Sequence, residues 1–294
     1  MSEPRSALAE YLRARRVMLD PRELGYPHDP KRRVAGLRRE EVAHLAGISL
    51  EYYVRIEQGR YNQISDQVLA SLSRALKLDD DGRAYLYRLA FPSPRPVVEI
   101  TSAPTVSLSV RRLLDQITET PAYVFDRNLD ILHVNALTSL LSPRVCVPGK
   151  NMVLELFGSE AKSRTSEVWL STARSVVAAL RFHGDPDDPR MREIVGTLSI
   201  RDQDFRSIWA EHQAKPLTRG VAPSHLDGFG WFELPWQVLD VPAGHFLSVS
   251  IAASGSRAEA AMSHLMTRLH AVGAESLPAD AALRAEHSQP QLAG

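Results

Sequence analysis

The sequence predicts an α+β chain of two domains: an all-α domain, then a mixed domain carrying an antiparallel sheet. Three observations predict it. The 294 residues are about twice the length of an ordinary domain. Residues 91–105 (FPSPRPVVEITSAPT) hold four prolines, which lack an N–H and turn their predecessors away from helix. The apolar pattern before that stretch is helical throughout, whereas the pattern after it mixes helical runs with short alternating ones. The expected units are residues 1–91, a linker at 92–106, a second domain at 107–273 and a flexible tail at 274–294.

In the first domain, Leu8, Leu12 and Leu19 recur near one face of an opening helix, with Tyr11, Ala14 and Met18 beside them. Residues 20–36 hold three prolines and two glycines and read as a loop. Short helices follow at about 37–46 and 50–58, separated by Gly47, Ile48 and Ser49. A further helix covers about 66–77. Another starts after Asp79, whose carboxylate can cap it. Past the linker, 107–119 reads as helix, and 122–126 and 129–134 as strands around a turn at Arg127 and Asn128. Helices are expected near 136–141, 151–157, 160–182, 189–199 and 202–212, strands at 229–239 and 245–252, and a last helix at 257–272.

Composition sets limits. Hydrophobic residues make up 44% and charged residues 24%, enough apolar surface for a core and too much for global disorder. The single Cys146 excludes an internal disulfide and a cysteine-based zinc site. The longest nearly apolar stretch, 246–253, is far short of the roughly 20 residues of a membrane span. A soluble, cytoplasmic protein that does not engage membranes is the expectation. Net charge is zero, but residues 1–91 carry +3 and the remainder −3. Lys31, Arg32, Arg33, Arg38 and Arg39 crowd into nine residues, as in a nucleic-acid contact or a solvated loop.

The motif that decides between these is LRREEVAHLAGISLEYYVRIEQGR, residues 37–60. Its first helix turns Val42, Leu45 and Ala46 inward and keeps Ala43 small where the next helix crosses. Gly47 sits at the sharp turn, Ile48 plugs the corner and Ser49 can cap the second helix. Tyr53 and Ile56 return to the core, leaving Ser49, Leu50, Glu51, Val54, Arg55 and Gln58 outward. That spacing describes a helix-turn-helix, which presents the start of its second helix to the DNA major groove. Arg32, Arg33, Arg38, Arg39 and Arg60 are expected on phosphates, and Ser49, Glu51 and Arg55 on base edges, since Arg suits guanine and Glu suits cytosine. Tyr52 serves either a phosphate or the core. One such domain has a small interface, so a homodimer on an inverted-repeat site in double-stranded DNA is expected.

On GLRREEVA, LAGIS, YY and EQGR, residues 6–90 resemble the xenobiotic-response-element (XRE) family of helix-turn-helix regulators, and more narrowly the subgroup carrying an MmyB-like domain. The resemblance implies a five-helix, lambda-repressor-like first domain. PAYVFDRNLDILHVN and RDQDFRSIWAEH extend it loosely over 107–272. There it implies a PAS-like sheet with added helices around an apolar pocket for a fatty-acid-like ligand. Trp209 and His212 match family positions, His225 roughly matches another, and His133 stands where the family carries Trp. With Trp231 from the aromatic run FGWFELPW, these are the candidate ligand contacts, and Trp209 is expected beside the ligand.

Catalysis is not expected. His212, His225 and His245 lie 13 and 20 residues apart and match no metal motif; Cys146 has no His near it in sequence; and no Gly-rich phosphate loop is present. No cofactor or metal is expected. Two alternatives stay open: a DNA-binding repressor whose second domain only dimerises or binds a protein partner, and a DNA-tethered enzyme.

Overall fold

The structure is a computed structural model and describes residues 3–27, 32, 34–61, 63–91, 106–158, 161–164 and 166–275. Residues 92–105 of the expected linker and 276–294 of the expected tail lie outside the described residues.

The N-terminal unit is helical: α1 (Glu3–Met18), α2 (Arg39–Ala46), α3 (Leu50–Glu57), α4 (Asp66–Ala75) and α5 (Asp80–Ala90). Leu8 and Leu12 of α1 meet Val42 of α2, Ile56 of α3, Leu72 of α4 and Leu86 of α5 in one buried cluster. Local caps start the helices. Ser49, Ser65 and Asp79 accept backbone N–H bonds from Tyr52, Val68 and Gly82. The loop expected at 20–36 contains a 3₁₀ turn, Pro21–Leu24, which Asp20 caps through the Arg22 N–H. Met18, expected beside the core face, is exposed.

The second unit begins with α6 (Leu108–Gln116), β1 (Ala122–Phe125), β2 (Ile131–Val134), α7 (Ala136–Leu141) and α8 (Met152–Gly158). Then come α9 (Ala161–Arg164), α10 (Ser166–His183), α11 (Pro189–Arg201) and α12 (Gln203–Ala210). The described residues end in β3 (Arg219–Leu226), β4 (Gly230–Val241), β5 (His245–Ser250) and α13 (Arg257–Glu275). The five strands form one antiparallel sheet in the order β2-β1-β5-β4-β3. The α+β class read from the sequence therefore holds.

Strand alternation divides the sheet into two faces. Ala122, Val124 and Leu247 turn to one side, where Val110 and Leu114 of α6 cover them. Phe125, Trp236 and Phe246 turn to the other, under Val153 of α8, Val176 of α10 and Phe205 of α12. Helices α7 and α13 close a separate cluster over Phe232 and Leu234 of β4.

Strand β3 was not among the strands expected from the sequence. RGVAPSHL contains Gly220 and Pro223, which argue against a central strand; β3 is an edge strand, where a proline is tolerated. Gly220 is required by a close approach: a Cβ there would stand 2.3 Å from Cζ2 of the Trp236 ring. The missing side chain makes the space that the indole fills.

The two units are in direct contact. Lys215 Nζ lies 2.8 Å from Asp79 Oδ2. Arg88 Nη2 donates to the Arg181 carbonyl at 3.2 Å, and the rings of Tyr85 and Phe182 lie 6.2 Å apart. Ala214 is buried in the core of the N-terminal unit. Among the described residues no helix is long and apolar enough to cross a membrane.

Candidate DNA interface and ligand cavity

The turn between α2 and α3 has the geometry its residues require. Gly47 adopts φ 65°, and its N–H bonds the His44 carbonyl. A residue with a Cβ is strained there. Helix α3 then buries Tyr53, Ile56 and Glu57 and exposes Leu50, Glu51 and Arg55, with Ser49 exposed at its cap. Tyr52 is half-buried and packs against the domain core. The exposed positions are those expected from the sequence to face DNA.

A buried carboxylate under this surface was not anticipated. Glu57 is fully buried, accepts a 2.7 Å bond from Arg16 Nε and also bonds Arg39 Nε. Burial alone would raise its pKa. The bonds from Arg16 and Arg39 outweigh that, so its pKa lies below the usual carboxylate value. Glu57 thereby holds Arg39, which is half-exposed, at the start of α2. Arg38 lies beside Glu40, and Arg60 is exposed after α3.

Arg32, expected on phosphate, is placed otherwise. Its Nη1 bonds Glu41 at 2.8 Å, and its Nη2 bonds the Gly36 carbonyl at 2.7 Å. The side chain is almost entirely buried, so it ties the loop to α2 rather than presenting a cation to DNA. Arg33 lies outside the described residues.

The second unit contains a cavity of about 480 Å³ between the sheet and helices α7, α8 and α10. Its walls are mostly apolar: Tyr123, Met152, Leu156, Val176, Leu234 and Trp236. The size and lining suit a small apolar molecule. Polar groups sit at a few points. Thr172 Oγ1 is spent on the carbonyls of Val168 and Val221, and Thr138 Oγ1 on that of Ala122. Ser248 and Ser250 contribute further hydroxyls. Burial pushes the Cys146 thiol up to about 11, so it stays protonated near neutrality.

Two of the sequence candidates reach this cavity. His225 and Trp231 face each other across β3 and β4, with ring centroids 5.3 Å apart at the cavity wall. The other three do not. Trp209 and His212 line a separate crevice, together with Ala7 and Tyr11 of α1 and Tyr85 of α5. His133 turns toward α6, and its Nε2 lies 3.2 Å from Asp115 Oδ1. Sequence reading missed Tyr123, Ser248 and Ser250. The alternation in HFLSVS, which sets Ser248 and Ser250 on one face, was the available signal. Among the described residues no cluster of three or more His, Cys, Asp or Glu side chains is arranged to hold a metal ion.

A helix-turn-helix with an exposed second helix, on one chain with an apolar cavity, defines a DNA-binding regulator with a ligand-binding domain. Comparison with known families gives the same class. Residues 7–86 match a helix-turn-helix domain family, and residues 106–266 match the MmyB-like transcription regulator ligand binding domain. The chain belongs to the MmyB-like transcription regulator family. A search of curated proteins finds no match.

Proposed function

We propose that this regulator works in the cytoplasm as a homodimer on an inverted-repeat operator, senses a fatty-acid-like molecule, and acts by binding rather than by catalysis. The reading keeps the XRE-type first domain and the PAS-like second domain implied by the resemblance. The observation that carries it is helix α10. Thr172 and Val176 in its middle line the cavity, while Arg181 and Phe182 at its end touch α5 of the helix-turn-helix unit. A ligand that shifts α10 acts on the DNA-binding unit through one packed element. A coupling of about 1 to 3 kcal/mol changes DNA affinity 5- to 150-fold.

An acyl chain suits a cavity with apolar walls, since each buried CH₂ contributes about 0.8 kcal/mol. Support for a second copy comes from Leu108 and Leu113 of α6 and Leu239 of β4, which stand exposed near the α6 side of the sheet. Native mass spectrometry of the purified full-length chain tests the ligand reading. The expected result is an adduct with the mass of a medium-to-long-chain acid, absent from an Ala222→Trp variant whose indole fills the cavity. A bare chain that also takes up no laurate favours the reading in which the second domain only dimerises.

In this reading Ser49, Glu51 and Arg55 touch bases, and Arg38, Arg39 and Arg60 touch phosphates. Arg55→Ala is expected to relax base preference at one position of each half-site, costing about 1 to 3 kcal/mol there. Arg38→Ala is expected to weaken all sequences alike. Selection from a random DNA library reads the difference; identical profiles for the two variants contradict the assignment.

A further inference from the structure

The crevice that holds Trp209 and His212 encloses about 360 Å³, with walls from both units. Ala7, Tyr11 and Tyr85 come from α1 and α5; Met191 and Val195 come from α11; Arg181 stands at one end. The guanidinium of Arg181 lies 3.7 Å from the Trp209 ring centroid, and its Nη2 donates to the Trp209 carbonyl at 2.6 Å. Its Nε is buried without a hydrogen-bond partner, and so is the Nε of Arg15 nearby. A buried cation with an unpaired donor is costly, and Arg181 also lines the crevice, so an anion seated there offsets part of that cost.

The charges around the crevice favour an anion. Arg15 and Arg181 both act on His212, whose pKa burial and these two cations hold down at about 4. Arg192 on the wall is already bridged to Asp187, and Glu10, the acidic group among the lining residues, also acts on Arg181. His212 sits in a left-handed backbone conformation, φ 48°, which few residues with a Cβ adopt.

We propose that this crevice is a second ligand site, distinct from the cavity in the sheet, that takes a small aromatic carboxylate. Its ring lies along Met191, Val195 and Trp209, and its carboxylate meets Arg181. Because the walls belong to both units, the ligand cross-braces α1 and α5 against α11 and α12. A carboxylate seated here therefore holds the helix-turn-helix unit in one position relative to the sensor, whatever fills the other cavity.

Calorimetry on the full-length chain tests the site with 1-naphthoate and its neutral counterpart 1-naphthamide. The expected result is that naphthoate binds at least ten-fold tighter than the amide. Gly196 lines the crevice, and a Cβ there meets no atom within 4 Å. A side chain at this position has room to start beside the crevice, and a Gly196→Phe variant is expected to occupy it and abolish naphthoate binding. Arg181→Gln is expected to erase the preference for the acid. Ala222→Trp, which fills the other cavity, is expected to leave naphthoate binding unchanged. Equal affinity for acid and amide overturns the proposal. So does naphthoate binding that survives Gly196→Phe or disappears in Ala222→Trp. The Gly196→Phe and Ala222→Trp pair decides the matter even where Arg181→Gln fails to fold.

Discussion

Replacing Glu57 with alanine is expected to cost the helix-turn-helix unit about 3 to 5 kcal/mol, because it leaves Arg16 buried without its partner. Arg16 also donates to the Leu37 carbonyl at 2.8 Å, so the loss reaches the segment entering α2. The double variant Arg16→Met, Glu57→Leu separates stability from DNA binding. Apolar replacement of a whole buried ion pair is often neutral, so most of the stability returns. DNA affinity does not return, because Arg39 has lost the carboxylate that aims it. Urea denaturation followed by DNA titration measures both. A double variant that binds DNA as tightly as the parent shows that Glu57 serves stability alone.

DNA binding is expected to weaken steeply with salt. With Arg38, Arg39 and Arg60 each on one phosphate, the slope of log K against log salt is about −3 per subunit and about −5 to −6 for a dimer. Raising salt from 50 to 200 mM then lowers affinity roughly 10³-fold. Arg32→Ala is expected to leave the slope unchanged and to lower the melting temperature, because its guanidinium is bonded to Glu41 and to the Gly36 carbonyl. A flat salt response removes the assignment of these arginines to phosphates.

How much was legible in advance follows the range of the signal. The turn at Gly47, the cap at Ser49 and the inward Tyr53 and Ile56 are encoded within a few residues, and each stands where the sequence predicts. Asp79 caps α5 for the same local reason. Arg32 escaped because a cation on a loop looks alike whether it meets phosphate or a carboxylate nine residues on. Most of the cavity lining escaped for a different reason. Its walls come from all five strands and from α7, α8 and α10, and sheet register decides which side chains meet. Tyr123 faces the cavity because it pairs with Ser248, a fact no local pattern contains. Trp209 and His212 matched a family string, yet the string says nothing about which side of α12 packs against the other domain. Strand β3 was hidden by Gly220 and Pro223, and both have reasons that only the sheet reveals: room for Trp236 and an edge position.

The central claim is that occupancy of the sheet cavity reaches the DNA-binding unit through α10. The most direct measurement is the affinity for a selected operator, with and without saturating laurate, in the parent chain and in Ala222→Trp. The account predicts a 5- to 150-fold change with laurate in the parent and none in the filled-cavity variant, which still binds DNA. An operator affinity that laurate leaves unchanged in the parent, or changes equally in both proteins, contradicts it.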